Sequence, residues 1–196
     1  MGDIKSAREI AAEKIEKLGA VTEEERLKWQ YVPEGEKLAA RYVKENCNLV
    51  AELNHFEEKA RKYVVEGAKD ILVRNIDLPR SDSARRNSKR AMDGLKTVIN
   101  DKVAVENVYS KLRHIFQHYM ETGEQQRKQA YETLKAEFEA RAQQAVQQQL
   151  GLPIGVRIDV EKQPQFQEEW RRIQAQIDSQ YYKVLDEYKR ELSSIP

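Results

Sequence analysis

The chain has 196 residues, of which 40% are hydrophobic and 34% are charged, and its formal net charge is +1. This composition is too charged for an ordinary compact globule and too rich in Leu, Ile, Val and Tyr for a disordered chain. The abundance of Ala, Glu, Lys, Arg and Gln is typical of long amphipathic helices. A net charge near zero excludes a bulk electrostatic preference for nucleic acid or for an acidic partner. Cys47 is the only cysteine, which excludes an internal disulfide framework.

Neither a membrane span nor a secretory signal is evident. The longest apolar runs are only a few residues, too short for a spanning helix. The N-terminal residues lack the apolar core of a signal peptide. We therefore expect a cytoplasmic protein with no membrane partner.

Two capping boxes predict the first two helices. The sequences SARE (6–9) and TEEE (22–25) each place a capping hydroxyl three residues before a glutamate. Gly19 is suited to end the first helix. Pro33 and Gly35 are expected to interrupt the second, which would then be short.

A long helix is predicted from about residue 36, because apolar residues recur there at alternating steps of four and three. Pro79 breaks this pattern, and a second helical region with the same spacing runs to about Glu121. TGEQ (122–125) indicates either a new helix start or a bend at Gly123. The two seams are Leu49, Leu53, Phe56, Ala60, Tyr63 and Gly67, and Val105, Val108, Leu112, Ile115 and Tyr119.

The C-terminal third predicts two helices, each roughly 40 Å long at about 1.5 Å per residue, which form an antiparallel hairpin. Pro164 is suited to the first position of the second helix. The narrow seams favour coiled-coil contacts over a thick core. We predict an all-α, elongated fold with an N-terminal helical bundle (1–121) and a C-terminal helical hairpin (122–196). The hairpin seams are Tyr131, Leu134, Phe138, Ala142, Ala145 and Gln149, and Trp170, Ile173, Ile177, Val184 and Tyr188.

The sequence GLPIGVRIDVEKQP (151–164), between the hairpin helices, predicts a short extended segment near 155–160, because apolar and polar residues alternate there. No second alternating run offers a partner for such a strand. Its partner would be the same segment of another copy, as in two-fold homodimers, or a strand edge on a different protein. The alternative is a loop whose apolar residues fold back over the hairpin. The self-association candidates are Val156, Ile158, Val160, Trp170, Ile173 and Ile177.

The two ends of the chain resemble a family of uncharacterised bacterial helical proteins. The resemblance is carried by GDIKSAREIAAEKIEKLG near the start and by QPQFQEEWRRIQAQIDSQYYKVLDEYKREL near the end. It implies a bacterial cytoplasmic protein. It supplies no activity and no catalytic residue, because neither segment contains a motif with known chemistry.

A basic run, RSDSARRNSKR (80–90), carries five cations against Asp82 alone. Cations at a helix start oppose the helix dipole, and phosphate contact would compensate for that cost. The alternative is a solvated helix face that pairs with nearby glutamates, and no aromatic residue interleaves the run to stack on single-stranded bases. The nucleic-acid-binding candidates are Arg80, Arg85, Arg86, Lys89 and Arg90.

The three histidines are candidate ligands for a metal ion. His114 and His118 share one helix face, with Glu121 close by. His55 ends an ExxH motif, of which a di-iron bundle needs two, whereas zinc needs fewer ligands. The alternative is that all are ordinary exposed polar residues. The candidate metal ligands are His55, His114, His118 and Glu121.

No catalytic motif occurs: the sequence lacks G-x-S-x-G, a P-loop, a dinucleotide fingerprint and HExxH. We therefore expect a non-enzymatic scaffold or interaction protein that uses coiled-coil faces, with no cofactor, and most simply a homodimer. The alternatives are a nucleic-acid-associated helical protein and a small metal-binding bundle.

Overall fold

The computed structural model describes residues 22–45, 47–150 and 159–196. The capping box at 6–9, Gly19, Val156 and Ile158 lie outside these ranges, and the side chain of Gln149 is not described. The helices are α1 (Glu23–Glu45), α2 (Leu49–Asn54), α3 (Glu58–Arg74), α4 (Asp82–Val98), α5 (Lys102–Leu150) and α6 (Pro164–Ser194), with a 3-10 turn at Val160–Lys162. The described ranges contain no strand, and the predicted all-α fold is confirmed. None of their helices has the length and apolar character needed to cross a membrane.

α1 begins at the predicted capping box but does not stop where we expected. The backbone N–H of Glu25 donates to the Thr22 hydroxyl at 3.2 Å, and the Thr22 N–H donates to the Glu25 carboxylate at 2.9 Å. The predicted interruption at Pro33 and Gly35 is wrong, since both residues lie inside α1. Proline leaves the carbonyl of the residue four positions earlier without its helical donor. That residue is Trp29, which is exposed, so water can take over the bond.

Gly35 has a packing role instead, at a close crossing of α1 and α3. A Cβ atom at Gly35 would lie 1.9 Å from the carbonyl oxygen of Val64, and one at Gly67 would lie 2.1 Å from the carbonyl oxygen of Val32. Backbone atoms held in helices cannot swing aside as side-chain ends do. Only glycine therefore allows the two helices to approach this closely.

The predicted long helix from residue 36 is wrong, because the region is divided into α1, α2 and α3. Asn48 starts α2: its side-chain oxygen accepts a hydrogen bond from the backbone N–H of Ala51 at 3.1 Å. Phe56, in the connection between α2 and α3, still packs on the main core. The predicted break at Pro79 is confirmed, and α4 begins after its cap residue Ser81.

α5 is much longer than the predicted helix that ended near Glu121. It starts at Lys102, after a short break from α4, and runs through 122–125 without interruption. Gly123 is buried inside it, against the hydroxyl of Tyr181. The predicted domain boundary after residue 121 would therefore fall within a helix, and the division into two domains stays a prediction. All five residues of the predicted α5 seam are buried: Val105, Val108, Leu112, Ile115 and Tyr119.

α5 and α6 form the predicted antiparallel hairpin, and α6 begins at Pro164 as expected. Residue numbers of facing side chains rise along α5 as they fall along α6, so the two helices stay paired over most of α6. Facing pairs, from the base to the tip, are Lys111 and Glu191, Tyr119 and Asp178, Tyr131 and Trp170, and Lys135 and Glu161.

The apolar interior is split into two clusters. The main core combines α1 to α4, the first part of α5 and the C-terminal half of α6, which contributes Tyr181, Leu185 and Leu192. We call the remainder of the hairpin the arm: residues 124–150 of α5, the 3-10 turn and residues 164–177 of α6. The arm cluster consists of Tyr131, Leu134, Phe138, Ala142, Val160, Phe166, Trp170 and Ile173.

Candidate interaction surfaces

Aromatic rings hold the arm together. Tyr131 meets Phe166 and Trp170 edge-on, with ring centroids 5.6 and 5.1 Å apart, and Phe138 meets Phe166 at 5.4 Å. These separations lie in the favourable range for edge-to-face pairs. Leu134 and Phe166 are buried, whereas the other rings and Ile173 are only half-buried. Two helices alone therefore leave part of the apolar seam open to solvent.

Val160 belongs to this cluster and not to a strand. It starts the 3-10 turn and is 1% exposed, so the predicted strand at this residue is wrong. The turn is held by an ion pair of Asp159 with Lys162 at 2.7 Å and by another of Lys135 with Glu161. The alternative, in which apolar residues fold back over the hairpin, holds for Val160. Its side chain is therefore unavailable to a second copy.

A groove of about 610 Å³ runs along one face of the arm. Its apolar part includes Ala130, Phe138 and Ile173, and its polar rim carries Glu137, Arg141 and Glu169. Trp170 lies outside this lining, and Ile177 packs against the main core. Of the described self-association candidates, only Ile173 thus lines the groove. The full lining is Gln126, Gln129, Ala130, Thr133, Leu134, Glu137, Phe138, Arg141, Glu169 and Ile173.

A polar network, which we call the waist, lies where the arm leaves the main core. The Tyr119 hydroxyl donates to Asp178 at 3.0 Å, and the Arg127 guanidinium lies 4.5 Å from the centre of the Tyr119 ring and 3.6 Å from the same carboxylate. Burial, then the bond to Asp178, raises the pKa of Tyr119 to about 12. Arg127 also donates to the carbonyl oxygen of Tyr119 at 3.4 Å, but its Nη1 atom is buried and has no hydrogen-bond partner among the described residues. Neither Arg127 nor Asp178 is predicted as a functional residue from the sequence. Only their facing positions in the register of the hairpin indicate that they could pair.

Arg80, a nucleic-acid candidate, joins a second polar group beside the waist. The Tyr182 hydroxyl donates to Asp77 at 2.9 Å, and Arg80 contacts the other oxygen of that carboxylate at 3.3 Å while lying over the Tyr182 ring. Burial, together with the bond to Asp77, raises the pKa of Tyr182 to about 12. Arg80 therefore links α6 to the connection before α4.

The other four cations of the basic run differ in the contacts that they make. Arg90 donates to the carbonyl oxygens of Val43 and Lys44 at 2.9 and 3.3 Å, which satisfies the C-terminal end of α1. Arg85 lies 3.7 Å from Asp82. Arg86 and Lys89 are exposed and have no carboxylate within 4.0 Å among the described residues. Arg80 and Arg90 thus have internal roles, and nucleic-acid binding by the other three stays a prediction.

The histidines do not converge. All four candidate ligands are described, and the described ranges contain no group of three or more His, Cys, Asp or Glu residues that could hold a metal ion. His118 Nδ1 lies 3.0 Å from the Tyr181 hydroxyl, and Glu121 accepts a hydrogen bond from Gln117. His114 lines the same shallow groove as His118, whereas His55 ends α2. The four residues do not form a ligand set in this arrangement.

Residues 50–194 match the model of a family of unknown function, DUF6657. The chain belongs to this family. The predicted resemblance to an uncharacterised family is confirmed to that extent. Neither a curated protein nor a solved structure matches the chain.

Proposed function

We propose that this DUF6657 protein is a non-catalytic interaction protein that self-associates through its arm. In the proposed dimer, the arms of two copies lie groove to groove and form a four-helix bundle. The observation that carries the proposal is the open seam of the arm, where Phe138 and Ile173 remain half-buried in a groove. Four-helix bundles close such seams by placing a second helical pair over the first.

The arm has the size that a stable dimer requires. Its α5 segment, residues 124–150, runs beside α6 as far as the contact of Phe138 with Phe166, close to the start of α6 at Pro164. One face of the whole arm offers on the order of 20 residues, the lower end of the 20–30 residues that each partner contributes to a standard interface. A two-fold arrangement needs only this one surface, because each copy presents the same groove to the other.

The charges of the groove are compatible with self-pairing. Its rim carries Glu137, Arg141 and Glu169, and its remaining polar lining is glutamine and threonine. Arg141 contacts Glu137 of its own helix at 3.4 Å, and this pair is exposed. Across a two-fold axis, Arg141 of each copy would have access to the acids of the other. Such rim pairs contribute more to orientation than to affinity.

A matched pair of substitutions tests this proposal. Thr133 and Ala136 are both exposed on α5, one turn apart, but only Thr133 lines the groove. Thr133→Arg places a long charged side chain in the proposed interface without removing an apolar contact of the arm itself. Ala136→Arg adds the same side chain outside the groove lining. Sedimentation velocity of both variants and of the wild type, over a range of concentrations, measures the effect.

We expect the wild type and Ala136→Arg to sediment as dimers, and Thr133→Arg to shift to monomer at the same concentration. Circular dichroism should show equal helix content in all three proteins. Equal sedimentation of the two variants would exclude this groove as the interface. A wild-type monomer at every concentration would refute self-association altogether.

A further inference from the structure

A second concave surface, which we call the cleft, lies between α4 and α5. These helices follow one another in the chain, and one face of each lines a space of about 340 Å³. Lining residues of α4 extend from Arg85 to Lys96, and those of α5 from Tyr109 to Met120. Each span covers three helical turns, or roughly 17 Å at about 1.5 Å per residue. The cleft is separate from the arm groove, with which it shares no residue.

The floor of the cleft is apolar and adaptable. Met92, Phe116 and Met120 line it with Tyr109, whose hydroxyl donates to the carbonyl oxygen of Met92. Tyr109 is only 1% exposed, and this burial raises its pKa. Met120 is 36% exposed at the mouth. Flexible methionine side chains beside aromatic rings suit ligands of variable apolar shape.

The walls of the cleft are predominantly cationic. Arg85, Lys89 and Lys96 contribute from α4, and Arg113 contributes from α5. Lys96 and Arg113 share one carboxylate, that of Glu106, at 2.7 and 2.6 Å. Two positive charges therefore face a single negative one at this end of the cleft.

At the other end of the cleft, Lys89 is the lining cation with the least negative charge nearby. Lys89 has no carboxylate within 4.0 Å among the described residues, and Arg85 approaches Asp82 only to 3.7 Å. The acids that line the cleft are Asp77, which is bonded to Tyr182 and Arg80, and Asp93, one turn from Lys89. Positive charge thus exceeds negative charge around an apolar floor.

From this geometry we propose that the cleft binds a small amphiphilic anion, namely a free carboxylic acid with a medium-length alkyl chain. The chain would lie on Met92, Phe116 and Met120, and the carboxylate would pair with Lys89. The volume is at the lower end of the range of small-molecule sites, about 300–1,000 Å³. It does not suit a docked helix, whose diameter is about 10 Å. A polyanion such as nucleic acid would use the cations and leave the floor empty.

Dodecanoate is the probe, used below its micelle-forming concentration in isothermal titration calorimetry with the full chain. Met120→Asp adds a negative charge at the cleft mouth, and its control is Val103→Asp, an exposed apolar residue of the same helix outside the cleft. Lys89→Gln removes the proposed carboxylate partner. Its control is Arg86→Gln, an exposed cation of the same helix outside the lining.

We expect saturable binding of one dodecanoate per chain, weakened at least tenfold by Met120→Asp and severalfold by Lys89→Gln. Both controls should bind within twofold of the wild type. Dodecyltrimethylammonium, which has the same chain and a positive head, should bind at least tenfold more weakly than dodecanoate. Absence of saturable binding, equal losses in a variant and its control, or equal binding of the cationic probe would overturn the proposal. So would attachment to phosphatidylglycerol vesicles without binding of the free acid.

Discussion

The crossing of α1 and α3 makes a demanding prediction, because replacing Gly35 with alanine adds a single methyl group. Its carbon would lie 1.9 Å from the Val64 carbonyl oxygen and 2.9 Å from the backbone nitrogen of Ala68. Ordinary contacts begin at 3.4 Å, so the helices must part by roughly 1.5 Å. Both obstructing atoms belong to the backbone of α3, so no rotamer change can relieve the contact.

Two opposing terms set the size of the effect. Over-packing typically costs about 1–3 kcal/mol, and a backbone obstacle places this case near the upper end of that range. Alanine is better than glycine inside a helix by about 0.8–1.0 kcal/mol. We therefore expect Gly35→Ala to lower the free energy of unfolding by about 2 kcal/mol, the difference of these terms. For a chain of this length, that is a fall of roughly 4–8 °C in Tm.

Thermal unfolding followed by circular dichroism measures the effect, with Gly123→Ala as the control. A Cβ atom at Gly123 would meet the Tyr181 hydroxyl at 3.1 Å, and the end of a side chain can move by the few tenths of an ångström required. The gain in helix propensity should therefore keep Gly123→Ala within about 1 kcal/mol of the wild type. If Gly35→Ala is as stable as Gly123→Ala, the close-crossing explanation is incorrect.

Three further predictions concern individual contacts. Arg90→Met should lower the free energy of unfolding by about 1–2 kcal/mol, because it removes hydrogen-bond donors to the C-terminal end of α1. The control Arg86→Met should change it by less than about 0.5 kcal/mol. Urea denaturation measures both values. Val160→Ala should destabilise the arm by about 1–2 kcal/mol, measured by hydrogen exchange of its amides. The raised pKa values of Tyr119 and Tyr182 show that the fold favours their neutral forms. Their contribution to the free energy of unfolding is therefore complete below the unfolded-state pKa of about 10 and is lost as pH rises towards about 12. Tyr119→Phe should reduce this loss of stability at alkaline pH.

Apolar periodicity predicted a helix correctly where its apolar residues are buried against other helices. The seam of α5 from Val105 to Tyr119 is buried as its spacing indicated, because each residue meets other helices of the bundle. The rule that proline and glycine break helices failed at Pro33 and Gly35, because the close packing of Gly35 against α3 is not visible in the local sequence. Apolar periodicity also wrongly predicted one continuous helix across α2 and α3, because Leu53, Phe56 and Ala60 keep helical spacing across the turn between them.

The candidate surfaces were less predictable, because they depend on which helices face each other. Phe138 and Ile173 were assigned to seams correctly, but the groove between them requires the register of α5 against α6. Alternation predicts an extended, self-associating segment at Val160, because it cannot reveal the arm cluster that buries this residue. The internal roles of Arg80 and Arg90 involve partners on α6 and α1, which the local charge of the basic run does not indicate.

Sedimentation equilibrium of the unmodified full chain is the most direct measurement of self-association through the arm. The chain mass is 22.9 kDa. We expect a concentration-dependent approach to twice that mass, with the Thr133→Arg variant remaining at the monomer mass under the same conditions. A wild-type mass that stays at 22.9 kDa at every concentration, or a dimer that Thr133→Arg leaves intact, would contradict it.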